Sequence, residues 1–289
     1  MSVVHGLSID VECYYQIVWK DYLGKTREPT AEVERNTEWL LDCMRDAGVR
    51  GTYYMLGNVA RAYPRLLRRI ADEGHELGVH GDEHLYIYDL APRTFHRELR
   101  VAIDAIEQAS GQKVEGHRAT AFSIVRETAW ALDVIAELGL RYDSSIFPMQ
   151  GRRYGIPDAP LGIHRLDNGL WEVPMTVVEA AGRRLPAGGG GYFRTFPYAY
   201  TAWALQKLED AGRPAVTYFH PHEFELSCPR VGAATALRHP RAAVRLAKFN
   251  AAQSVGRGKR MRRRFARMLR DHAFVPVRDL LPAEPTGPD

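Results

Sequence analysis

The sequence predicts an α/β protein: a distorted (β/α)7-type barrel with a basic helical C-terminal extension. Short apolar runs rich in β-branched and aromatic residues alternate with segments of helical periodicity, and about seven such units fit within residues 1–228. Residues 230–270 contain 13 Lys or Arg and no acidic residue, although the net charge of the whole chain is only +4. We therefore expect a barrel over 1–228 and, over 229–289, an extension that packs on the barrel and ends in a short strand.

The predicted strands combine β-branched or aromatic residues with flanking turn residues. They lie, in chain order, at 3–9, 52–56, 76–80, 114–117, 140–142, 170–175 and 215–220. Between them, two segments place their apolar residues on one face of a helix. The first face consists of Val33, Leu40, Leu41 and Met44, and its helix ends before Gly48. The second consists of Phe95, Leu99, Ile103 and Ile106, and its helix ends before Gly111.

Polar side chains follow the carboxyl ends of several predicted strands. In a (β/α) barrel these ends converge on one mouth, where ligands and chemistry collect. A single polar residue at a strand end has a purely structural explanation, but agreement among several strands favours a shared site. The candidates, in chain order, are Asp10, Glu12, His80, Arg118, Asp143 and His220.

Two of these segments together indicate a metal site. His80 and His84 are four residues apart, a spacing that places two imidazoles on one side of a helical turn. The chain has 11 histidines, so this pair alone does not define a site. Asp10 and Glu12 face the same way at the end of an extended strand, and their like charges require a cation or a shared proton. One carboxylate with the two histidines would form a His₂-carboxylate set that leaves room for water.

The same segments resemble the motifs of the polysaccharide deacetylase family, the NodB-homology enzymes of carbohydrate esterase family 4. Residues 7–12, L-S-I-D-V-E, are similar to the first motif T-F-D-D, and residues 80–84, H-G-D-E-H, to H-[ST]-x-x-H. Residues 118–122, R-A-T-A-F, and 142–145, Y-D-S-S, resemble the third and fourth motifs. Residues 220–223, H-P-H-E, resemble the H-P-W-E form of the branch associated with exopolysaccharide and exosortase loci. The resemblance spans most of the chain and implies a NodB-like barrel.

The resemblance also implies a ligand set. Glu12, His80 and His84 would hold a divalent metal, with Zn²⁺ the first choice and other divalent ions acceptable to the same donors. Glu12 replaces the second Asp of the family motif, so the division of roles between Asp10 and Glu12 is open.

Acid–base roles follow from the same resemblance. Asp10 would take a proton from water attacking an acetamide carbonyl, and His220 would protonate the departing amine. Arg118 would orient the base, and Asp143 would hold neighbouring groups in place.

The predicted function is therefore metal-dependent removal of an N-acetyl group from an amino sugar or glycan. Phe122, Trp171 and Tyr192 are the candidates for ring faces that contact a sugar. The four glycines at 188–191 form either a flexible loop or a backbone that passes close to a ligand. Two alternatives are an allantoinase-like hydrolase of cyclic amides or ureides and a non-catalytic glycan-binding relative. A paired base and acid argue against the binder, because binding alone requires neither.

Composition limits the setting of this activity. Apolar residues make up 45% and charged residues 26% of the chain, which argues against a disordered or fibrous protein. Cys13, Cys43 and Cys228 are an odd number at unrelated spacings, so neither a disulfide framework nor a cysteine zinc site is indicated. Residues 1–12 lack the pattern of a signal peptide, and no stretch approaches the roughly 18 apolar residues of a membrane span. We expect a cytoplasmic protein, with the inner face of the membrane as one location.

The basic extension adds a second surface. Residues 257–270 combine dense positive charge with apolar residues at helical spacing, namely Met261, Phe265, Met268 and Leu269. One interpretation is a helix packed on the barrel whose arginines extend to solvent. The others are peripheral contact with an anionic membrane that carries a lipid-linked glycan, or with an acidic polysaccharide. No nucleic-acid partner is expected without a recognisable binding fold, and the sequence leaves the oligomeric state open.

Overall fold

The computed structural model describes residues 3–24, 27–151, 154–227 and 233–283. Its strands are β1 His5–Val11, β2 Thr52–Met55, β3 Glu76–Val79, β4 Gly116–His117, β5 Tyr142–Asp143, β6 His164–Arg165, β7 Trp171–Glu172, β8 Val177–Ala180, β9 Arg183–Pro186, β10 Val216–Phe219 and β11 Phe274–Val275. Its helices are α1 Tyr14–Leu23, α2 Ala31–Asp46, α3 Gly57–Ala62, α4 Pro64–Asp72, α5 Pro92–Ser110, α6 Trp130–Glu137, α7 Gly190–Thr195, α8 Tyr198–Asp210, α9 Ala233–Arg238, α10 Pro240–Ser254 and α11 Lys259–Asp271.

The strands form a curled, mainly parallel sheet that confirms the predicted α/β barrel class. Its order is β10-β1-β2-β3-β4-β5-β7-β6, with β11 also paired to β1. All pairs from β10 to β7 are parallel, whereas β6 runs antiparallel to β7 at the edge. Between β7 and β10, the Thr176 hydroxyl bonds both the amide nitrogen and the carbonyl oxygen of Val216. The sheet therefore curls into a half-barrel whose two ends are linked by this side chain.

The two predicted helices are confirmed by their buried faces. The predicted apolar face of α2 is fully buried, at Val33, Leu40, Leu41 and Met44. The predicted apolar face of α5 is buried in the same core, at Phe95, Leu99, Ile103 and Ile106. Gly48 and Gly111 lie just past these helices with positive φ, as expected of C-terminal glycines. The hairpin β8–β9 was not predicted, because the exposed and half-buried R-R-L-P segment of β9 has the composition of a loop.

The C-terminal extension completes the barrel at the end opposite the predicted mouth. β11 pairs with the start of β1, with His5 opposite Phe274 and Gly6 opposite Val275. The amides of Val277 and Arg278 donate to the Thr52 hydroxyl and the Glu76 carboxylate, at 2.7 and 3.1 Å. The end of the extension thus supplies donors to polar groups inside the barrel.

The helix α11 packs on the barrel through its apolar stripe. Its four buried residues are Met261, Phe265, Met268 and Leu269. Arg262 lies over the Trp39 ring at 4.5 Å and donates to the Phe224 carbonyl, while Arg264 donates to the Phe193 carbonyl at 2.8 Å. These contacts favour the packed-helix interpretation of residues 257–270. The boundary at 228/229 and Cys228 lie outside the described residues, so the division into two units remains a prediction.

Within the described residues, no helix is both long and apolar enough to span a bilayer.

Candidate metal and acid–base site

The end of β1 places two carboxylates side by side at the barrel mouth. Asp10 and Glu12 are 2% and 7% exposed. Each has different partners: Asp10 pairs with Arg118, whereas Glu12 lies between His80 and His84. The structure therefore separates the two acids by their surroundings, which the sequence left open.

Glu12, His80 and His84 form a buried cluster of metal-ligand type. Their ligand atoms lie within 4.8 Å of one another. The Glu12 Oε2 atom is 2.9 Å from His84 Nε2 and 3.5 Å from His80 Nε2. His80 Nδ1 is 2.8 Å from the Arg118 carbonyl oxygen, which can only accept, so the proton of a neutral ring resides on Nδ1 and the Nε2 lone pair faces Glu12. Burial opposes ionisation of Glu12, but the surrounding imidazoles outweigh it and hold the pKa well below its usual range.

The position of His84 depends on a strained backbone and on α1. Its φ of 53° lies in the left-handed region, which costs a non-glycine residue about 1–3 kcal/mol. The Lys20 ammonium group donates to the carbonyl oxygens of Glu83 and His84, each at 3.0 Å. Ala121 and Phe122, which also line the mouth, have positive φ as well. Such clustering of strain is typical of functional sites.

Arg118 is fully buried and binds Asp10 directly. Its Nη1 atom donates to Asp10 Oδ1 at 2.8 Å and to Ser8 Oγ at 2.6 Å. Its Nε and Nη2 atoms donate to the carbonyl and hydroxyl oxygens of Ser144, and its guanidinium lies 4.2 Å from the centre of the Tyr54 ring. The Arg118 charge is thus directed at one oxygen of Asp10, while the other oxygen faces the mouth.

His220, at the end of β10, faces both acids. Its Nε2 atom is 3.6 Å from Glu12 Oε1 and 4.0 Å from Asp10 Oδ2. Glu223 lies behind it, with Oε2 accepting from the His220 backbone amide at 3.0 Å and lying 3.5 Å from the ring Nδ1. Burial lowers the pKa of His220, but Glu12, Glu223 and Asp10 outweigh burial and raise it to about 9. An imidazolium at neutral pH can donate a proton.

Glu223 and His222 are site residues to which the sequence reasoning gave no role. Glu223 also lies 3.5 Å from the Arg194 Nε atom, and His222 stacks on Tyr14 at 4.5 Å. The signal for Glu223 was its place three residues after His220, where its carboxylate reaches back to the His220 amide.

Asp143 lies away from the cavity, in a fully buried network. Its Oδ1 atom is 2.6 Å from His117 Nδ1 and accepts from the Ser145 hydroxyl at 2.8 Å. Ser145 Oγ in turn accepts from the Ala119 amide, next to Arg118. Burial and the neighbouring Asp143 raise the pKa of Glu172 well above its usual range. Asp143 therefore holds His117 and Ser145, and it supports the backbone next to Arg118 only through the Ser145 hydroxyl.

One cavity of about 570 Å³ joins most of the predicted site residues. Asp10, Glu12, His80, His84, Phe122 and His220 line it, together with Tyr14, Tyr154, Tyr218, His222 and Glu223. Tyr192 lies behind this wall, with its hydroxyl 3.1 Å from that of Tyr154. Trp171 is not brought to the cavity. It lines a depression beside Glu115 and Arg141, which precede β4 and β5, so it lies at the amino ends of the strands.

Three of the four glycines at 188–191 approach protein atoms closely, and the fourth borders open space. A Cβ on Gly188 would come within 2.2 Å of the Val216 carbonyl oxygen, and one on Gly190 within 2.0 Å of Glu223 Oε2. Gly191 has open space and lines the cavity. Close approach is thus required at this turn, and the atoms approached belong to β10 and to the residues that follow it.

A second His–Glu–His cluster lies at the other end of β1, and its proton positions do not suit a metal. Glu209 Oε1 is 3.0 Å from His5 Nε2 and 2.8 Å from His272 Nδ1. His5 Nδ1 accepts from the Ala215 amide, so a neutral ring carries its proton on Nε2 and donates to Glu209. His80 has the opposite tautomer. His5 thus directs a proton at its carboxylate, whereas His80 directs a lone pair, which is the arrangement that a cation requires.

The donor set at the mouth fits a divalent transition metal. Two imidazole nitrogens and one carboxylate are the donors of many catalytic zinc sites, and the carbonyl bond to His80 is the usual outer contact of a metal-bound imidazole. Space beside these atoms belongs to the cavity, so a fourth position is accessible.

Comparison with known proteins agrees with this geometry. A family model described as polysaccharide deacetylase matches residues 27–142, and a model described as a domain of unknown function (DUF3473) matches 144–282. A chitooligosaccharide deacetylase of Rhizobium leguminosarum bv. trifolii is 31% identical over 124 residues, 42% of this chain and 55% of the relative. One of Bradyrhizobium sp. (strain ANU 289) is 30% identical over 97 residues, 34% of this chain and 42% of the relative. The matches thus span about half the length of these curated relatives or less.

The fold comparison covers the whole molecule. A crystal structure from Mycobacterium smegmatis, assigned to the polysaccharide deacetylases, aligns with 100% of this chain and 98% of its own, at 18% identity and a TM-score of 0.56. At this identity the likeness concerns the fold. Residues 27–142 therefore carry a polysaccharide deacetylase domain of the NodB-homology, carbohydrate esterase family 4 type, and the fold of the whole chain is consistent with it.

Proposed function

We propose that the protein is a metal-dependent N-deacetylase of an amino-sugar-containing glycan. The proposal rests on one observation: the Glu12, His80 and His84 cluster shares a cavity with a carboxylate held by arginine and an imidazole held by carboxylate. The cluster suits metal binding, the Asp10 carboxylate beside Arg118 suits a proton acceptor, and the His220 ring beside Glu223 suits a proton donor. The exopolysaccharide branch remains a prediction from residues 220–223.

The chain's own residues divide the work as follows. Glu12, His80 and His84 would hold the cation, and Zn²⁺ is the first choice. When bound, the cation would act as a Lewis acid that polarises a carbonyl and lowers the pKa of water. Asp10 presents Oδ2 to the cavity as a proton acceptor, while Arg118 fixes the carboxylate through Oδ1.

The proton donor lies beside this base, with His220 Nε2 4.0 Å from Asp10 Oδ2. His220 presents Nε2, and Glu223 holds the opposite side of the ring. Protonation of the departing nitrogen by His220 makes an amine the leaving group, and the Glu223 carboxylate beside Nδ1 favours the protonated ring.

The surface beside the cavity favours a substrate longer than one sugar. A second cavity of about 840 Å³ shares Tyr22 and Tyr154 with the first and is also lined by Tyr86 and Tyr88. The Tyr86 and Tyr88 rings stack with centroids 5.4 Å apart. Together these rings add an aromatic surface beside the first cavity, of the kind on which a further sugar ring can pack.

The test combines metal content with turnover. Purified protein is analysed for bound divalent metal. Acetate release is measured from N-acetylglucosamine and its oligomers, and opening of the allantoin ring to allantoate is measured in a separate assay. We expect one bound metal and activity on the oligomers, with both abolished in His80→Ala and His84→Ala. Asp10→Asn should retain the metal and lose activity, on the order of 10²- to 10⁴-fold.

Three outcomes would contradict the proposal. Unchanged metal content and turnover in both histidine variants would remove the assigned ligands. Turnover of allantoin alone would indicate the cyclic-amide reaction. Oligomer binding without acetate release from metal-loaded protein would indicate a glycan-binding relative.

A further inference from the structure

The exposed surface of α9 and α10 differs from the rest of the molecule. Among the described residues, four large apolar side chains are more than half exposed, and all four lie between residues 226 and 255. They are Leu226, Leu237, Val244 and Val255, at 63%, 82%, 55% and 52%. The next is Val101, on α5, at 45%. Apolar exposure is thus concentrated in one short segment.

The same segment carries positive charge without any compensating acid. Its exposed cations are Arg238, Arg241, Arg245 and Lys248, and no Asp or Glu occurs between 230 and 270. On α10, positions 241, 244 and 248 recur at helical spacing and therefore share one face. Arg245 borders this face and lies over the Tyr22 ring, and Val255 follows the last residue of the helix. That outer face alternates cationic and aliphatic side chains.

The opposite face of α10 belongs to the catalytic cavity. Leu246 is buried against Tyr14 and Val18 of α1, and Phe249 and Gln253 line the cavity itself. One helix therefore separates the site from the cationic outer face.

We propose that the outer face of α10, together with Leu237 of α9 before it and Val255 after it, docks on an anionic phospholipid bilayer. The cations complement the negative headgroups, and the aliphatic side chains between them enter the interface, where they leave water. An acidic polysaccharide would satisfy the charges but leave the aliphatic side chains in water, so the bilayer explains both properties. By contrast, Arg262 and Arg264 of α11 bind barrel groups, which removes them from such a role. This surface lies outside the acid–base site and does not depend on the reaction proposed there.

The test is cosedimentation of the full chain with vesicles. Vesicles of phosphatidylcholine with phosphatidylglycerol are compared with phosphatidylcholine alone, at low and high salt. We expect binding only to the anionic vesicles, with weaker binding at high salt. Arg241→Gln with Lys248→Gln should lower the partition coefficient about 25-fold, at about fivefold for each cation. Val244→Ser with Val255→Ser should also weaken it, at unchanged net charge.

The matched control is Arg260→Gln with Arg263→Gln, which removes the same charge from the exposed face of α11. We expect less than about a threefold loss from this variant. Equal losses from both double variants would reduce the effect to net charge and overturn the proposal. Absence of vesicle binding, or binding to soluble alginate with none to vesicles, would overturn it as well. None of these readouts uses turnover, so they stand apart from the test of deacetylation.

Discussion

Removing the Arg118 guanidinium should destabilise the protein because the buried Asp10 carboxylate would lose its hydrogen-bonded cation and keep only the more distant His220 ring, at 4.0 Å. Arg118 is fully buried and donates to Asp10, to Ser8 and twice to Ser144. Breaking a buried ion pair from one side costs about 3–5 kcal/mol, a large share of a typical unfolding free energy of about 5–15 kcal/mol. We therefore expect Arg118→Met to lower the free energy of unfolding by about 3–5 kcal/mol.

The cause can be isolated with a double-mutant cycle. Asp10→Asn neutralises the carboxylate, so Arg118→Met combined with Asp10→Asn should recover about 2 kcal/mol relative to Arg118→Met alone. Ser144→Ala, which removes one neutral acceptor, should cost only about 1 kcal/mol. The assay is urea unfolding in the presence of a chelator, so that metal binding does not contribute.

Two results would refute this reasoning. A loss below about 1 kcal/mol in Arg118→Met would mean that the ion pair contributes little. A double variant no more stable than Arg118→Met would mean that the loss comes from packing around Tyr54 rather than from the Asp10 charge.

Three further predictions concern protons and the metal. Glu223→Gln removes a carboxylate that raises the pKa of His220, so the alkaline limb of the kcat–pH profile should move to lower pH by about one unit, measured by acetate release. Burial raises the pKa of Glu32 from 4.5 to about 7. Between these two pH values Glu32 is protonated in the folded protein and ionised in the unfolded chain, so the free energy of unfolding should fall as the pH rises from 4.5 to about 7. Glu32→Gln should flatten this slope and add up to about 3 kcal/mol at pH values above this range, measured by urea unfolding, and an unchanged slope would contradict it. Lys20→Met should weaken zinc binding about 10- to 100-fold in a chelator titration with unaltered circular dichroism, because the carbonyl of His84 loses its donor.

The sequence predicted the parts of this molecule that depend on local pattern. Alternating strands and helices indicated the parallel sheet, and polar residues at strand ends indicated where Asp10, Glu12, His80 and His220 would meet. These inferences succeed because a parallel barrel brings all carboxyl strand ends to one mouth.

The sequence did not indicate the directions in which individual side chains point, because these are set by packing and hydrogen bonds in the interior. Trp171 had the composition of a sugar platform, but it lies at the amino end of its strand neighbours. Asp143 lies at the end of a strand as expected, but its carboxylate contacts the buried His117 ring and not the cavity. The separate surroundings of Asp10 and Glu12 come from Arg118, more than a hundred residues away in sequence, and no local pattern encodes that contact.

The strand β1 pairs with β11, a strand more than 260 residues later in the sequence. Residues 274 and 275 extend the ladder along His5 and Gly6, and the amide of Val277 reaches the second strand. During synthesis, β1 would emerge well before β11 and would gain this neighbour only after more than 260 further residues. Long-range pairing of this kind slows folding and leaves early strands open to misassembly, so a ribosome-stalled chain ending before residue 274 should expose the incomplete edge to proteases.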